Sequence, residues 1–175
     1  MNYCPKNIPF GTFYNNTVHS SGINGLWIFP GYHPTVSGNC SDTNPSAAKF
    51  ENYTSYSCQK GAEWIDSNSI QFRNMLSFDQ SISSLEARLI HGNANPNTYY
   101  ESTFYSDSNV GALIYNCTLI GNSDITSSSN NYSITPDALV LPWDRGLLVE
   151  SVKFYNYPGI GTDAIRGPII GGVCE

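Results

Sequence analysis

Four carboxylates, Glu63, Asp66, Glu86 and Asp163, are the side chains of this sequence whose type and spacing could do chemistry. Each lies shortly after a turn-forming stretch, so a repeating fold would bring them to comparable places. Two carboxyl groups roughly 5 to 10 Å apart are what glycoside hydrolysis requires, one to protonate the leaving oxygen and one to attack or to activate water. On that reading Glu63, Asp66 and Glu86 are the catalytic set of a polysaccharide hydrolase or lyase.

The neighbouring residues argue for a plainer reading. Trp64-Ile65-Asp66-Ser67 only superficially resembles the WIDH segment of pectate lyases, because Ser67 stands where His belongs. Arg166-Gly167-Pro168 lacks the second Arg that such lyases place after their Arg-x-Pro, and the Asn-Thr-Asp and Gly-His-Gly patterns of polygalacturonases are absent. The expectation is solvated surface carboxylates and no catalytic residue. The three histidines are isolated, and no serine nucleophile motif, phosphate loop or calcium loop occurs. Five cysteines, Cys4, Cys40, Cys58, Cys117 and Cys174, show no metal-ligand spacing, so neither a metal nor a cofactor is expected. In an oxidising compartment the short loop between Cys40 and Cys58 makes them the expected disulfide.

Asparagine supplies a second chemistry. Acceptor sequons for N-linked sugar begin at Asn15, Asn39, Asn52, Asn116 and Asn131. Three of them, Asn15, Asn52 and Asn116, share one place in an internal repeat, where Asn74 and Ser151 occupy the remaining copies. A repeated Asn in a solenoid can stack amide on amide, and a buried ladder of that kind carries no sugar. The ladder is the expectation at those three positions and glycan the expectation at Asn39 and Asn131.

The elements that must position these groups are strands. Lys49 to Ile65 reads as an alternating strand through Ser57, a corner at Cys58-Gln59-Lys60-Gly61, and a second strand ending at Trp64-Ile65. The pattern recurs from Phe13, Phe72, Ile114 and Val149, with starts about 37, 22, 42 and 35 residues apart, which is a turn of roughly 22 residues plus insertions. Each turn has one narrow apolar face that it cannot bury alone, so the fold class is all-β, a right-handed parallel β-helix solenoid with long loop insertions. An antiparallel sandwich is the alternative. Residues 83–89 have a helical composition but a strand's place in the repeat. Residues 29–46, 91–110 and 122–131 read as loops, and 138–157 as the fifth turn. Trp27 and Trp64 occupy matching places and are expected to stack inside.

Charged residues make up 13% of the 175 and the net charge is −6, which excludes nucleic acid and direct insertion into an anionic membrane. No window reaches the roughly 20 apolar residues of a membrane span. The neutral, Asn/Ser/Tyr-rich surface fits an extracellular protein, and the start MNYCPKNIPF has no signal-peptide pattern. The expectation is that residues 1–175 are a single β-helix segment excised from a much larger, secreted or membrane-anchored protein.

The chain resembles the extracellular region of the fibrocystin and fibrocystin-like (polyductin) family. The matching segments are Asn16-Thr-Val-His-Ser20 to Gly25-Leu-Trp-Ile-Phe29, Phe50-Glu-Asn52 with Tyr56-Ser-Cys-Gln-Lys-Gly-Ala-Glu-Trp64, and Arg145-Gly-Leu-Leu-Val149 through Phe154-Tyr-Asn156. The resemblance implies parallel β-helix repeats in a very large surface glycoprotein associated with cilia, cell coats and adhesion, and it transfers no catalytic residue. The function expected is a non-enzymatic extracellular scaffold, adhesion or receptor-type module whose partners are other modules, copies of itself assembling into filaments, or a glycan or protein ligand. A polysaccharide-active enzyme or a carbohydrate-binding module is the alternative.

Overall fold

Short strands with one apolar face each become stable only when every turn of chain covers the one before it. The computed structural model describes residues 2–29, 31–89, 111–123, 135–142, 147–157 and 163–167, and in these residues five such turns follow one another. The first holds β1 (Phe13–Tyr14), β2 (Thr17–His19) and β3 (Asn24–Ile28). The second holds β4 (Ala48–Glu51), β5 (Thr54–Tyr56) and β6 (Lys60–Ile65), and the third β7 (Ile70–Arg73), β8 (Leu76–Phe78) and β9 (Ser83–Leu89). The fourth holds β10 (Ala112–Tyr115), β11 (Thr118–Ile120) and β12 (Asp137–Val140), and the fifth β13 (Leu147–Glu150), β14 (Lys153–Tyr155) and β15 (Asp163–Arg166).

Corresponding strands pair in parallel to give three sheets of five: β1-β4-β7-β10-β13, then β2-β5-β8-β11-β14, then β3-β6-β9-β12-β15. The fold is a parallel β-helix. Phe13, Phe50, Phe72, Ile114 and Val149 are successive register partners, so the sequence repeat is the physical stack. Residues 83–89 are strand, as their place in the repeat requires: β9 must cover β6, and that packing outweighs the helical propensity of Leu, Glu, Ala and Arg. The aromatic rings of Phe13, Phe50 and Phe72 line the first sheet's inner side, 5.0 and 5.1 Å apart. Trp64, Leu85, Ala87 and Leu139 fill the third sheet's side, and Tyr53, Met75 and Cys117 fill the first corner.

The corners explain how so short a turn closes. Asn15, Asn52, Asn74, Asn116 and Ser151 all have φ between 50° and 57°. Left-handed backbone at one residue bends the strand, and Asn tolerates it better than any residue except Gly. The backbone N–H of each Asn donates to the next turn, to the carbonyls of Glu51, Arg73, Tyr115 and Glu150, each at 3.0 Å. A second column, Ser20, Ser57, Asp79 and Asn156, repeats the device between the second and third sheets. The segment from Lys49 to Ser57 is therefore two strands and not one. The bend at Asn52 shifts the alternation by one, which puts Phe50, Tyr53 and Ser55 inside.

Two further expectations are corrected by register. Asp137–Val140 completes the fourth turn, because β12 pairs with β9 after a loop insertion; the fifth turn begins at Leu147. Trp64 pairs with Ile28 while Trp27 pairs with Glu63, a one-residue offset that sends the two indoles to opposite faces. Trp64 is fully buried; Trp27 is 57% exposed and stacks outward on Phe29.

Inside the solenoid, polar groups are matched. Gln80 donates to Ser55 Oγ and Ser77 Oγ and accepts from the Cys58 backbone N–H. Gly61 faces this cluster, and a Cβ there would lie 2.4 Å from Ser84 O and 2.6 Å from Ser55 Oγ. Outside the first turn, residues 2–12 and 31–47 form an irregular layer held by antiparallel bridges Tyr3 to Asn39 and Thr35 to Pro45. Phe10 joins that layer to the stack, its ring 4.7 Å from Phe50.

Candidate functional site

Register brings two of the candidate carboxylates together. Glu63 on β6 and Glu86 on β9 are direct partners on the outer face of the third sheet. Lys60 Nζ lies 2.6 Å from Glu63 Oε1 and 2.7 Å from Glu86 Oε2. Arg88 Nε lies 3.0 Å from Glu63 Oε1 and 2.6 Å from Glu86 Oε1. Asn24 Nδ2 donates to Glu63 Oε2, and Ser83 Oγ to Glu86 Oε2. Lys60 and Glu63 flank Gly61 and Ala62, both buried, on the same strand.

This overturns the expectation of solvated carboxylates for Glu63 and Glu86, whereas Asp163 is exposed and Asp66 half-buried. Glu63 is 7% exposed and Glu86 2%, and both are held by cations. Burial pushes the Glu63 carboxyl up, but hydrogen bonds and charge from Lys60, joined by Arg88, outweigh it and hold Glu63 below the usual range. A glycosidase acid needs the opposite, a carboxyl kept protonated near neutrality. The arrangement fixes the second turn to the third.

Asp66 is not part of this group. It sits at the corner between the third and first sheets with φ 50°, its Oδ1 4.0 Å from His33 Nε2. Asp163 on β15 pairs in register with Asp137, three rows from the Glu pair's partners, and Asp137 is bound by Arg166 at 2.9 Å. Among the described residues no group of three or more His, Cys, Asp or Glu side chains is placed to hold a metal.

The asparagine column is real but faces outward. Asn116 Nδ2 donates to Asn74 Oδ1 at 2.8 Å, so the amide ladder forms between these two turns, and both side chains are exposed. Asn15 is exposed and Asn52 half-buried. The buried ladder is therefore corrected: the left-handed bend turns these side chains to solvent. Asn39 is half-buried, its Oδ1 accepting from Ser41 N and Oγ. Asn131 lies outside the described residues.

The disulfide also differs from the expectation. Cys40 bonds Cys4, not Cys58, closing the irregular layer over a separation of 36 residues. Cys58 turns inward after the second corner and is buried beside Gln80, out of reach of Cys40 on the exposed side of its loop. Cys117 is buried too, and desolvation raises its thiol to about 11. Cys174 lies outside the described residues.

Surface aromatics form two groups. His19, Tyr56 and Phe78 stack up the second sheet at 4.9 Å centroid spacing with planes within 10° of parallel. Ile120 and Tyr155 continue that row in register. Tyr56 is thereby covered on both ring faces, by His19 and by Phe78. The second group surrounds the first turn, where Ile8, Phe10, Phe13, Leu26, Trp27 and Phe29 help to line a groove of about 700 Å³.

Over 174 residues, 99% of its length, the chain is 38% identical to Fibrocystin-L of Mus musculus and 36% identical to Fibrocystin-L of Homo sapiens. It spans about 4% of the length of either relative. No family model matches the chain. No solved structure matches it.

Proposed function

The chain is a fibrocystin-like sequence, and from that premise we propose that it is a non-enzymatic scaffold, adhesion or receptor-type module of a much larger extracellular glycoprotein. The observation that carries this reading is the state of Glu63 and Glu86. Glu63 and Glu86, which register places opposite each other, are buried and bound by Lys60 and Arg88, and the Glu63 carboxyl is held below the usual range. What the solenoid offers to solvent instead is rows of side chains repeated at the strand spacing of about 4.8 Å, a surface suited to extended contact.

The disulfide between Cys4 and Cys40 supports an oxidising compartment, and no helix among the described residues is long and apolar enough to cross a membrane. Placement at the cell surface, with the ciliary coat as its finer form, is part of the proposal. Antibody labelling of intact, unpermeabilised cells that express the full-length protein tests it, and a signal seen only after permeabilisation would reject it.

Turnover separates scaffold from enzyme. The folded chain is expected to release no product from a panel of acidic and neutral polysaccharides, and release that disappears in Glu86→Gln would overturn the scaffold reading. A glycan array addresses the carbohydrate-binding alternative. Sugar platforms need open ring faces, so Tyr56, stacked between His19 and Phe78, is expected to bind none.

A further inference from the structure

We propose that closure of the disulfide between Cys4 and Cys40 decides whether Asn39 carries N-linked sugar, so that this site exists in two mature forms set by the order of two covalent steps. The inference rests on the extracellular reading, because only a chain delivered to an oxidising, glycosylating compartment meets both reactions. Asn39-Cys40-Ser41 is an acceptor sequon whose middle residue is the disulfide cysteine itself. In the folded chain this sequon is engaged on every side. Tyr3 and Asn39 are antiparallel bridge partners, the Cys4 N–H donates to Gly38 O at 3.2 Å, and the Cys40 N–H donates to Asn2 O at 3.0 Å. Asn7, only 2% exposed, donates its Nδ2 to Asn39 O at 3.2 Å. Ser41 turns its N–H and its Oγ–H onto Asn39 Oδ1, at 3.3 and 3.4 Å. Sugar transfer needs the Asn amide and the Ser hydroxyl presented together on a segment free to enter the transferase. Here both are committed to a loop held at its base by residues 2–4.

The two reactions balance separately and meet at neighbouring residues. In sugar transfer the Asn39 amide nitrogen displaces pyrophosphate from the anomeric carbon of a lipid-linked oligosaccharide. The C–N bond forms, the C–O bond breaks, the lipid pyrophosphate leaves, and the amide proton passes to a base of the transferase. In closure the Cys4 and Cys40 thiols give up two protons and two electrons to a disulfide oxidant, which leaves as a dithiol. Cys4 precedes Cys40 by 36 residues, so during synthesis it is already delivered when Asn39, Cys40 and Ser41 emerge together. The acceptor amide and the second thiol therefore become available at the same moment, and closure withdraws Asn39 into its bridge with Tyr3. Asn116-Cys117-Thr118 sets the contrast. It too is a sequon with Cys in the middle, but Cys117 is a buried free thiol, so no disulfide competes there, and Asn116 is exposed.

Glycopeptide mass spectrometry of the chain expressed through the secretory pathway tests the proposal, with occupancy at Asn39 read against occupancy at Asn116 in the same sample. Wild type is expected to show Asn39 partly occupied. Cys4→Ser removes the competing thiol and leaves the sequon intact, so occupancy at Asn39 is expected to rise at least about twofold while Asn116 stays unchanged. Should Cys4→Ser misfold and be retained, dithiothreitol supplied to cells while they synthesise the wild-type chain keeps both thiols reduced, and the ratio of Asn39 to Asn116 occupancy in cell-associated material is expected to rise in the same way. Equal occupancy of Asn39 with and without the disulfide, or a rise matched by an equal rise at Asn116, overturns the proposal, and so does an Asn39 that is bare in every form. Sugar on none of the sequons overturns the extracellular placement as well, whereas an occupied Asn116 beside an indifferent Asn39 leaves that placement standing.

Discussion

Glu63 and Glu86 lie opposite each other on neighbouring turns, and each is bound by the same two cations, Lys60 and Arg88. In a parallel stack like charges in register repel, so a pair of carboxylates persists only where something of opposite charge is shared between them. Lys60 reaches from the same strand as Glu63 and Arg88 from the same strand as Glu86, so each turn supplies one acid and one base. The pair of turns is then cross-linked electrostatically as well as by backbone hydrogen bonds.

Removing one member of this group is expected to be more costly than a surface ion pair. Lys60→Met leaves two desolvated carboxylates sharing Arg88 alone, and loss of a partner from a buried pair costs about 3 to 5 kcal/mol. The Lys60 side chain is 13% exposed, so the lower end of that range is expected. Urea denaturation followed by tryptophan fluorescence measures it, and a midpoint within error of wild type would mean that the clamp is not formed in solution.

Acid should loosen the fold in a defined direction. The Glu63 carboxyl is held below its usual value, and Asp42, which accepts hydrogen bonds from Ser37 and Asn44, is held at about 2. For groups whose folded pKa is depressed, the stabilisation is present above the unfolded value, near 4 for carboxylates, and is lost as pH falls through the folded value. Stability is expected to be level from neutral pH to about 5 and to decline below that. Glu63→Gln flattens part of the decline, and a profile identical to wild type would contradict the assignment.

Much of the architecture was legible because the stack imposes itself on the sequence. The recurrence of Phe13, Phe50, Phe72, Ile114 and Val149 is the register of the first sheet, and its spacing gave the solenoid before any coordinate. What was not legible depends on single-residue offsets. Trp27 and Trp64 look equivalent, yet one-residue slippage puts one outside and one inside. The left-handed bend at Asn52 breaks an alternation that reads as one strand. β12 is separated from β11 by an insertion, so its membership of the fourth turn rests on pairing with β9. The clamp could have been found by aligning Lys60 with Ser83, which sets Glu63 opposite Glu86; the placement of Lys60 and Arg88 around them is a three-dimensional fact.

Gly61 is a further point of sensitivity. A methyl group there would press on Ser84 O, Ser55 Oγ and Ser77 Oγ, all within 2.7 Å of the ideal Cβ position. The Ser84 contact is to backbone and can be relieved only by separating β6 from β9. Gly61→Ala is expected to destabilise the chain by about 1 to 3 kcal/mol, the usual cost of overpacking. Wild-type stability in this variant would show that the turns are less closely stacked.

Cysteine chemistry divides cleanly. Non-reducing peptide mapping should recover Cys4 linked to Cys40, while Cys58 and Cys117 resist alkylation until the chain is unfolded. Closing a loop of 36 residues is worth about 3 to 4 kcal/mol in the chain-entropy account, so Cys40→Ser is expected to lower the urea midpoint markedly. A linkage between Cys40 and Cys58 would require the second corner to open, since Cys58 is buried against the Gln80 side chain.

The corner asparagines give the sharpest test of how the surface is used. Left-handed backbone disfavours β-branched side chains, so Asn116→Val is expected to cost about 1 to 2 kcal/mol, whereas Asn116→Gly keeps the bend and loses only the amide bond to Asn74. Their outward direction also makes the three corner sequons accessible to sugar, and Asn116 retains one amide N–H after glycosylation with which to reach Asn74. Asn15 and Asn52 stand on adjacent turns about 4.8 Å apart, too close for two branched glycans to pass, while Asn116 lies two turns beyond Asn52. Glycopeptide mass spectrometry of secreted material is therefore expected to find Asn116 occupied and one of Asn15 and Asn52 occupied in any single molecule. Full occupancy of both neighbours would show that the first and second turns are not stacked at this corner, and an unmodified Asn116 would show that the column is kept bare for contact.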